Sequence, residues 1–144
     1  MRKSATAVAA LVGMLVMFQS AVPGHGHPEG EITGSKPPPK LETLLQAVLE
    51  GVDSTEVIVS RVTLPPNTSL PKHWHPGEEF AYVLEGSITL WQQDKNEIVA
   101  KPGDVVEVPL RQVHTAITKK DSARVLVFRV HKQGQPERIL VGDQ

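Results

Sequence analysis

The chain has 144 residues, with 15 Lys+Arg against 16 Asp+Glu and no cysteine. That length supports one domain with its own core but not two. The balanced charge offers no basic face for nucleic acid, and the absence of thiols excludes disulfide scaffolds, thiolate nucleophiles, zinc ribbons and iron–sulfur clusters.

Residues 1–24 have the organisation of an export signal. Arg2 and Lys3 form a basic start, Ala5 to Phe18 an apolar run broken only by Thr6 and Gly13, and Ser20-Ala21-Val22-Pro23-Gly24 a small, turn-forming exit. The apolar run is shorter than the 18 or more residues of a spanning helix, so no stable membrane anchor is expected. Cleavage is expected after Ala21 or Gly24, placing the mature chain in the periplasm or outside the cell. Residues 25–40 are polar and rich in Pro and Gly, with the run Pro37-Pro38-Pro39, and read as a flexible linker. Its His25-Gly26-His27 would open the mature chain after cleavage at Gly24. A free amine with a histidine in third position chelates Cu(II) or Ni(II), but a plain polar linker is the preferred reading.

The folded domain is expected over 41–144. Leu41, Leu44, Leu45, Val48 and Leu49 recur at helical spacing, which predicts a short helix ended by Gly51. From there the chain alternates between β-branched runs and turn signals. Glu56 to Leu64 is followed by Pro65-Pro66-Asn67, and Phe80 to Leu84 by Glu85-Gly86. Ser87 to Trp91, Glu97 to Ala100, Val105 to Val108, His114 to Thr118 and Arg124 to Val130 complete the set of strands. Many short strands at such spacing predict an all-β sandwich or barrel, whose closure removes strand edges.

The stretch that carries chemistry is Pro71-Lys72-His73-Trp74-His75-Pro76-Gly77-Glu78-Glu79-Phe80. In an extended strand, side chains two apart share a face, so His73 and His75 point one way and Trp74 the other. Pro76-Gly77 turns the chain, and Glu79 opens the next strand on the same face as Ala81 and Val83. Two imidazoles and a carboxylate suit a divalent transition ion, which makes such polar crowding tolerable in an apolar interior. A His-x-His pair by itself equally fits two solvated histidines on a surface strand. Gly103 to His114 adds a turn, a strand, a second turn and a third histidine.

Together the two segments resemble the paired signature motifs of the cupin superfamily. His73, His75, Glu79 and Gly86 keep the spacing of the first motif, with Asn67 in place of its opening glycine; asparagine is the next best residue for a left-handed turn. Gly103, Pro109 and His114 keep that of the second, with Arg111 in place of the inner glycine and Thr118 in place of asparagine. The resemblance implies a double-stranded β-helix, the jelly-roll cupin barrel, holding one metal through His73, His75, Glu79 and His114. It also implies that Leu41 to Leu49 is a strand flanking the barrel rather than a helix. Fe, Mn, Ni, Cu, Co and Zn all accept this ligand set, which leaves an octahedral ion open positions for water, O2 or substrate. Because ligating imidazoles must be neutral, metal affinity is expected to fall as the pH drops through the region near 6.

Trp74 and Trp91 are expected to pack on the outer barrel face, His131 to be solvated, and Glu78 to be an exposed neighbour of Glu79. Tyr82 is out of phase with the interior and is not expected to carry a proton. Cupin lyases that use a tyrosine two residues after the glutamate would find Ala81 here, and relatives that oxidise thiols usually lack the glutamate. The resemblance thus favours an exported, oxygen-dependent dioxygenase or oxidase acting on a small organic substrate. The alternatives are a non-catalytic periplasmic binder of metal or a small molecule and, more weakly, a structural protein acting through a dimer surface. Flanking strands and apolar segments at both ends of the domain predict a homodimer paired by edge exchange.

Overall fold

The computed structural model describes residues 36–142. The expected export signal, His25-Gly26-His27 and most of the linker lie outside the described residues. Lys36 to Pro39 is irregular and exposed, and the first strand begins at Lys40, one residue inside the expected linker.

Ten strands follow: β1 (Lys40–Val48), β2 (Thr55–Leu64), β3 (His73–Trp74), β4 (Gly77–Glu85), β5 (Ile88–Gln92), β6 (Ile98–Ala100), β7 (Val105–Val108), β8 (His114–Ile117), β9 (Ala123–Lys132) and β10 (Ile139–Leu140). They form two five-stranded antiparallel sheets, ordered β1-β2-β9-β4-β7 and β10-β3-β8-β5-β6. This all-β arrangement is consistent with a double-stranded β-helix. Among the described residues, no helix is long and apolar enough to cross a membrane.

The core is aliphatic and drawn from both sheets. Val62 and Leu64 of β2, Ala81 and Val83 of β4, and Val125 and Val127 of β9 alternate inward on one sheet, facing Ile88, Leu90 and Ala100 on the other. Each fully buried Val or Leu stabilises the fold by roughly 1.5–3 kcal/mol. The same alternation places Glu79 on β4 and Arg129 on β9 inside, paired across the ladder.

The helix expected over Leu41 to Leu49 is instead β1, as the resemblance implied. A bulge between Thr43 and Leu45 inserts Leu44 as an extra residue. It offsets the two-residue period by one, so apolar positions 41, 44, 45 and 48 mimic helical spacing. The edge strand is paired on one side only, and Leu41, Leu44, Leu45 and Val48 remain exposed.

Two glycines are held by close approach. A Cβ on Gly77 would collide with the His131 Cβ and the Val130 carbonyl, and one on Gly86, at φ +69°, with the Ser122 carbonyl. Gly77 therefore lets β4 start tight against β9, two residues before Glu79. Asn67 and Arg111, which stand where the motifs have glycine, both adopt positive φ, 50° and 59°. The backbone keeps the motif geometry at both positions.

Candidate metal centre

The motif histidines meet through strand pairing. His73 in β3 is the cross-strand partner of His114 in β8, while His75 follows β3 directly, before the Pro76-Gly77 turn. All three are buried, with ring centroids 4.4 Å (His73–His114), 4.9 Å (His73–His75) and 5.2 Å (His75–His114) apart. One ring nitrogen from each lies within 4.8 Å of the others. With metal–nitrogen bonds of about 2.1 Å, small rotamer adjustments bring three such donors onto one ion.

The opposite edge of each ring is fixed by backbone. Nδ1 of His73 donates to the Pro71 carbonyl at 2.7 Å, that of His75 to Glu137 at 2.6 Å, and that of His114 to Gln112 at 3.0 Å. A proton held on Nδ1 leaves the Nε2 lone pair free to bind metal and sets the ring's direction. Nε2 of His75 is buried, and although it comes within 3.0 Å of Glu79 Oε2 it has no aligned hydrogen-bond partner. An orphaned buried nitrogen is costly unless something occupies its lone pair. This donor set fits a divalent transition ion. Burial lowers the His73 pKa to about 4, so this ring is neutral and available as a ligand under ordinary conditions.

Glu79 stands beside the cluster rather than wholly within it. Its Oε2 accepts from Arg129 Nε at 2.8 Å, and its Oε1 lies 3.7 Å from His114 Nε2. Burial works to raise its pKa, but the neighbouring His114 and His75 rings and the Arg129 charge outweigh it and hold the carboxyl well below the ordinary range. The Arg129 guanidinium also bonds the Glu137 carboxylate, whose backbone carbonyl receives His75. Arg129 is absent from the sequence-derived site, although it shares the two-residue phase of Val125 and Val127, which pointed inward.

His131, expected to be solvated, is buried at 3% exposure, because the same inward phase of β9 carries it under Gly77 and beside Glu56. Glu56 is buried too and accepts from Gln46 of β1 at 2.8 Å. Glu78 is half-buried rather than exposed. Tyr82 faces outward at 40% exposure, whereas Ala81 faces inward. Trp74 and Trp91 are half-buried, with the Arg111 guanidinium 6.0 Å from the Trp74 ring and the Lys72 ammonium 4.4 Å from that of Trp91. Thr118, in place of the motif's asparagine, donates to the Pro65 carbonyl at 2.5 Å and accepts from the Thr68 amide at 3.0 Å, tying the two motif segments together.

A cavity of about 250 Å³ runs from the histidines into the apolar core. His73, His114, Glu79 and Arg129 form its polar wall, and aliphatic side chains form nearly all the rest.

Comparison with known proteins bears on the fold and the motifs. The family model described as the cupin domain matches residues 60–129. No curated protein matches the sequence significantly. A DMSP lyase from Ruegeria pomeroyi is similar in structure, with a TM-score of 0.61 at 22% identity over 82% of this chain. The chain spans 59% of that lyase's length. A cupin-like protein from Thermotoga maritima aligns with a TM-score of 0.57 at 25% identity, covering 76% of this chain and 86% of that one. An oxalate oxidase solved with the substrate analogue glycolate aligns at 0.53 and 22% identity, covering 59% of this chain and 46% of the oxidase.

Proposed function

Since the chain belongs to the cupin superfamily and buries a three-histidine cluster of the kind that holds metal, we propose that it is an exported metal-dependent cupin, an oxygen-dependent dioxygenase or oxidase, acting on a small organic substrate. One observation carries the metal assignment: three imidazoles, each with Nδ1 committed to a backbone carbonyl, present their remaining nitrogens to one another in a buried site. His73, His75 and His114 would hold the ion, with Glu79 as the fourth ligand. A bound ion would supply Lewis-acid or redox chemistry there. The chain's own part is to orient the donors through the Pro71, Gln112 and Glu137 carbonyls, to balance Glu79 with Arg129, and to keep water from the aliphatic side of the cavity.

The experiment is metal analysis of protein purified from its own compartment. One divalent ion per chain is expected, with loss of at least nine-tenths of it in the His73→Ala/His114→Ala double variant and retention of β-sheet circular dichroism. A wild-type chain that emerges metal-free and takes up no Mn, Fe, Ni, Co, Cu or Zn overturns the proposal. Oxygen uptake with candidate substrates then separates catalysis from binding. A non-catalytic binder is the second reading, favoured by the cavity wall itself. Among the described residues that wall has no hydroxyl and no carboxylate besides Glu79, so it offers no general base apart from the proposed ligands.

Homodimerisation belongs to the same proposal. Phe80 and Phe128 are cross-strand partners on the outer face of the β1-β2-β9-β4-β7 sheet, and Tyr82 extends the exposed apolar surface along β4. A dimer is expected in sedimentation velocity at tens of micromolar, and a monomer there removes it.

A further inference from the structure

The cavity's size, lining and rim charge together point to a ligand class. Its volume is about 250 Å³. A cavity of roughly 150 Å³ lined by aliphatic and aromatic side chains admits benzene, so this one holds a single ring with a small substituent, on the order of ten non-hydrogen atoms. Away from the polar wall the lining consists of aliphatic side chains such as Leu64, Leu90, Val106 and Val125, and among the described residues it includes no serine, threonine, tyrosine, asparagine or glutamine. A sugar or other polyol would leave its hydroxyls unpaired there, at roughly 1–3 kcal/mol for each. The body of the ligand is therefore compact and poor in hydroxyls.

The charges specify its head group. Glu79 is the one carboxylate among the described lining residues, and Arg129 already neutralises it. The exposed end of the lining lies at the start of edge strand β1 and just before edge strand β10. It carries Lys40 on one side, 2.9 Å from Glu42, and Arg138 on the other, for which the described residues supply no salt-bridge partner. Both rim residues are exposed, so their charge acts on an entering ligand before it is desolvated. We propose that the cavity takes a monocarboxylate on a compact apolar body, a substituted monocyclic acid or one of similar bulk. This rests on the metal centre proposed above, because an ion beside His73 and His114 adds positive charge to the same wall.

The test uses the full chain loaded with Mn(II), its metal content measured first, and calorimetric titration with benzoate, benzamide and xylose. Benzoate is expected to bind at least tenfold more tightly than its uncharged isostere benzamide, with no measurable binding of xylose. Arg138→Gln should weaken benzoate three- to tenfold and leave benzamide and metal content unchanged. Lys40→Gln, which leaves Glu42 paired with Arg61 at 3.0 Å, should weaken benzoate in the same direction. Equal affinity for benzoate and benzamide, tighter binding of xylose, absence of benzoate binding, or insensitivity to both rim variants overturns the ligand class. Should the chain take up neither Mn(II) nor any of Fe, Ni, Co, Cu and Zn, the metal centre fails separately. The same titrations on metal-free protein then decide the carboxylate preference through the rim charges Lys40 and Arg138: a surviving preference upholds it, and a lost one ends it.

Discussion

Arg129 and Glu79 face each other across β9 and β4 with side chains 5% and 10% exposed. Two charges removed from water cost several kcal/mol each to desolvate, so this pair is a weak source of net stability but an expensive one to break. Arg129 also holds the Glu137 carboxylate, so its removal strands one buried and one partly buried anion. Arg129→Met should destabilise the metal-free protein by about 3–5 kcal/mol, read from urea denaturation. In metal-loaded protein the loss should be smaller, because the ion then balances Glu79. An equal loss in both forms would mean that Glu79 does not face the ion. Arg111 is a contrasting case. Its left-handed backbone at φ 59° costs roughly 1–2 kcal/mol relative to glycine, set against a modest attraction to the Trp74 ring.

At the scale of elements, β-branched runs and turn signals made the central strands legible, and β7 matches its sequence boundaries at Val105 and Val108. The histidines of the site were legible because a two-residue period and the motif spacing pointed to the same face. What stayed hidden depended on contacts far apart in sequence. The Leu44 bulge in β1 disguised a strand as a helix, and only pairing with β2 reveals it. β10 has two residues and no pattern of its own; it exists because Ile139 and Leu140 pair with Trp74 and His73. Arg129 was not singled out and His131 was expected to be solvated, since burial of a polar side chain is decided by its partner and not by its neighbours in the chain. Glu79 and Glu56 are those partners.

For the molecule as a whole, the buried His73 makes stability depend on pH in a definite direction. Its folded-state pKa is about 4, below the ordinary 6.5, so between these values the unfolded chain takes up a proton that the folded chain refuses. Metal-free protein should therefore be most stable above about pH 6.5 and lose stability as the pH falls toward 4. Glu79, whose carboxyl pKa is lowered, adds a loss in the same sense at still lower pH. Urea midpoints from pH 7 to pH 4 check this, and His73→Phe should flatten the slope. A midpoint that rises on acidification would contradict the burial of His73 as a neutral ring. The fall in metal affinity expected near pH 6 for an ordinary imidazole moves down correspondingly as far as His73 controls it, toward about 4.

The last described strand makes the centre depend on the far end of the described chain. Glu137 secures both the His75 ring and Arg129, and Leu140 pairs with His73, so the backbone after residue 136 is part of the scaffold for ligands that lie more than sixty residues earlier. A chain ended at residue 136 would keep all three histidines yet lose the carbonyl that orients His75 and the strand that pairs with His73. Such a shortened chain is expected to take up less metal than the full one although every proposed ligand remains, and metal analysis of the two side by side checks it.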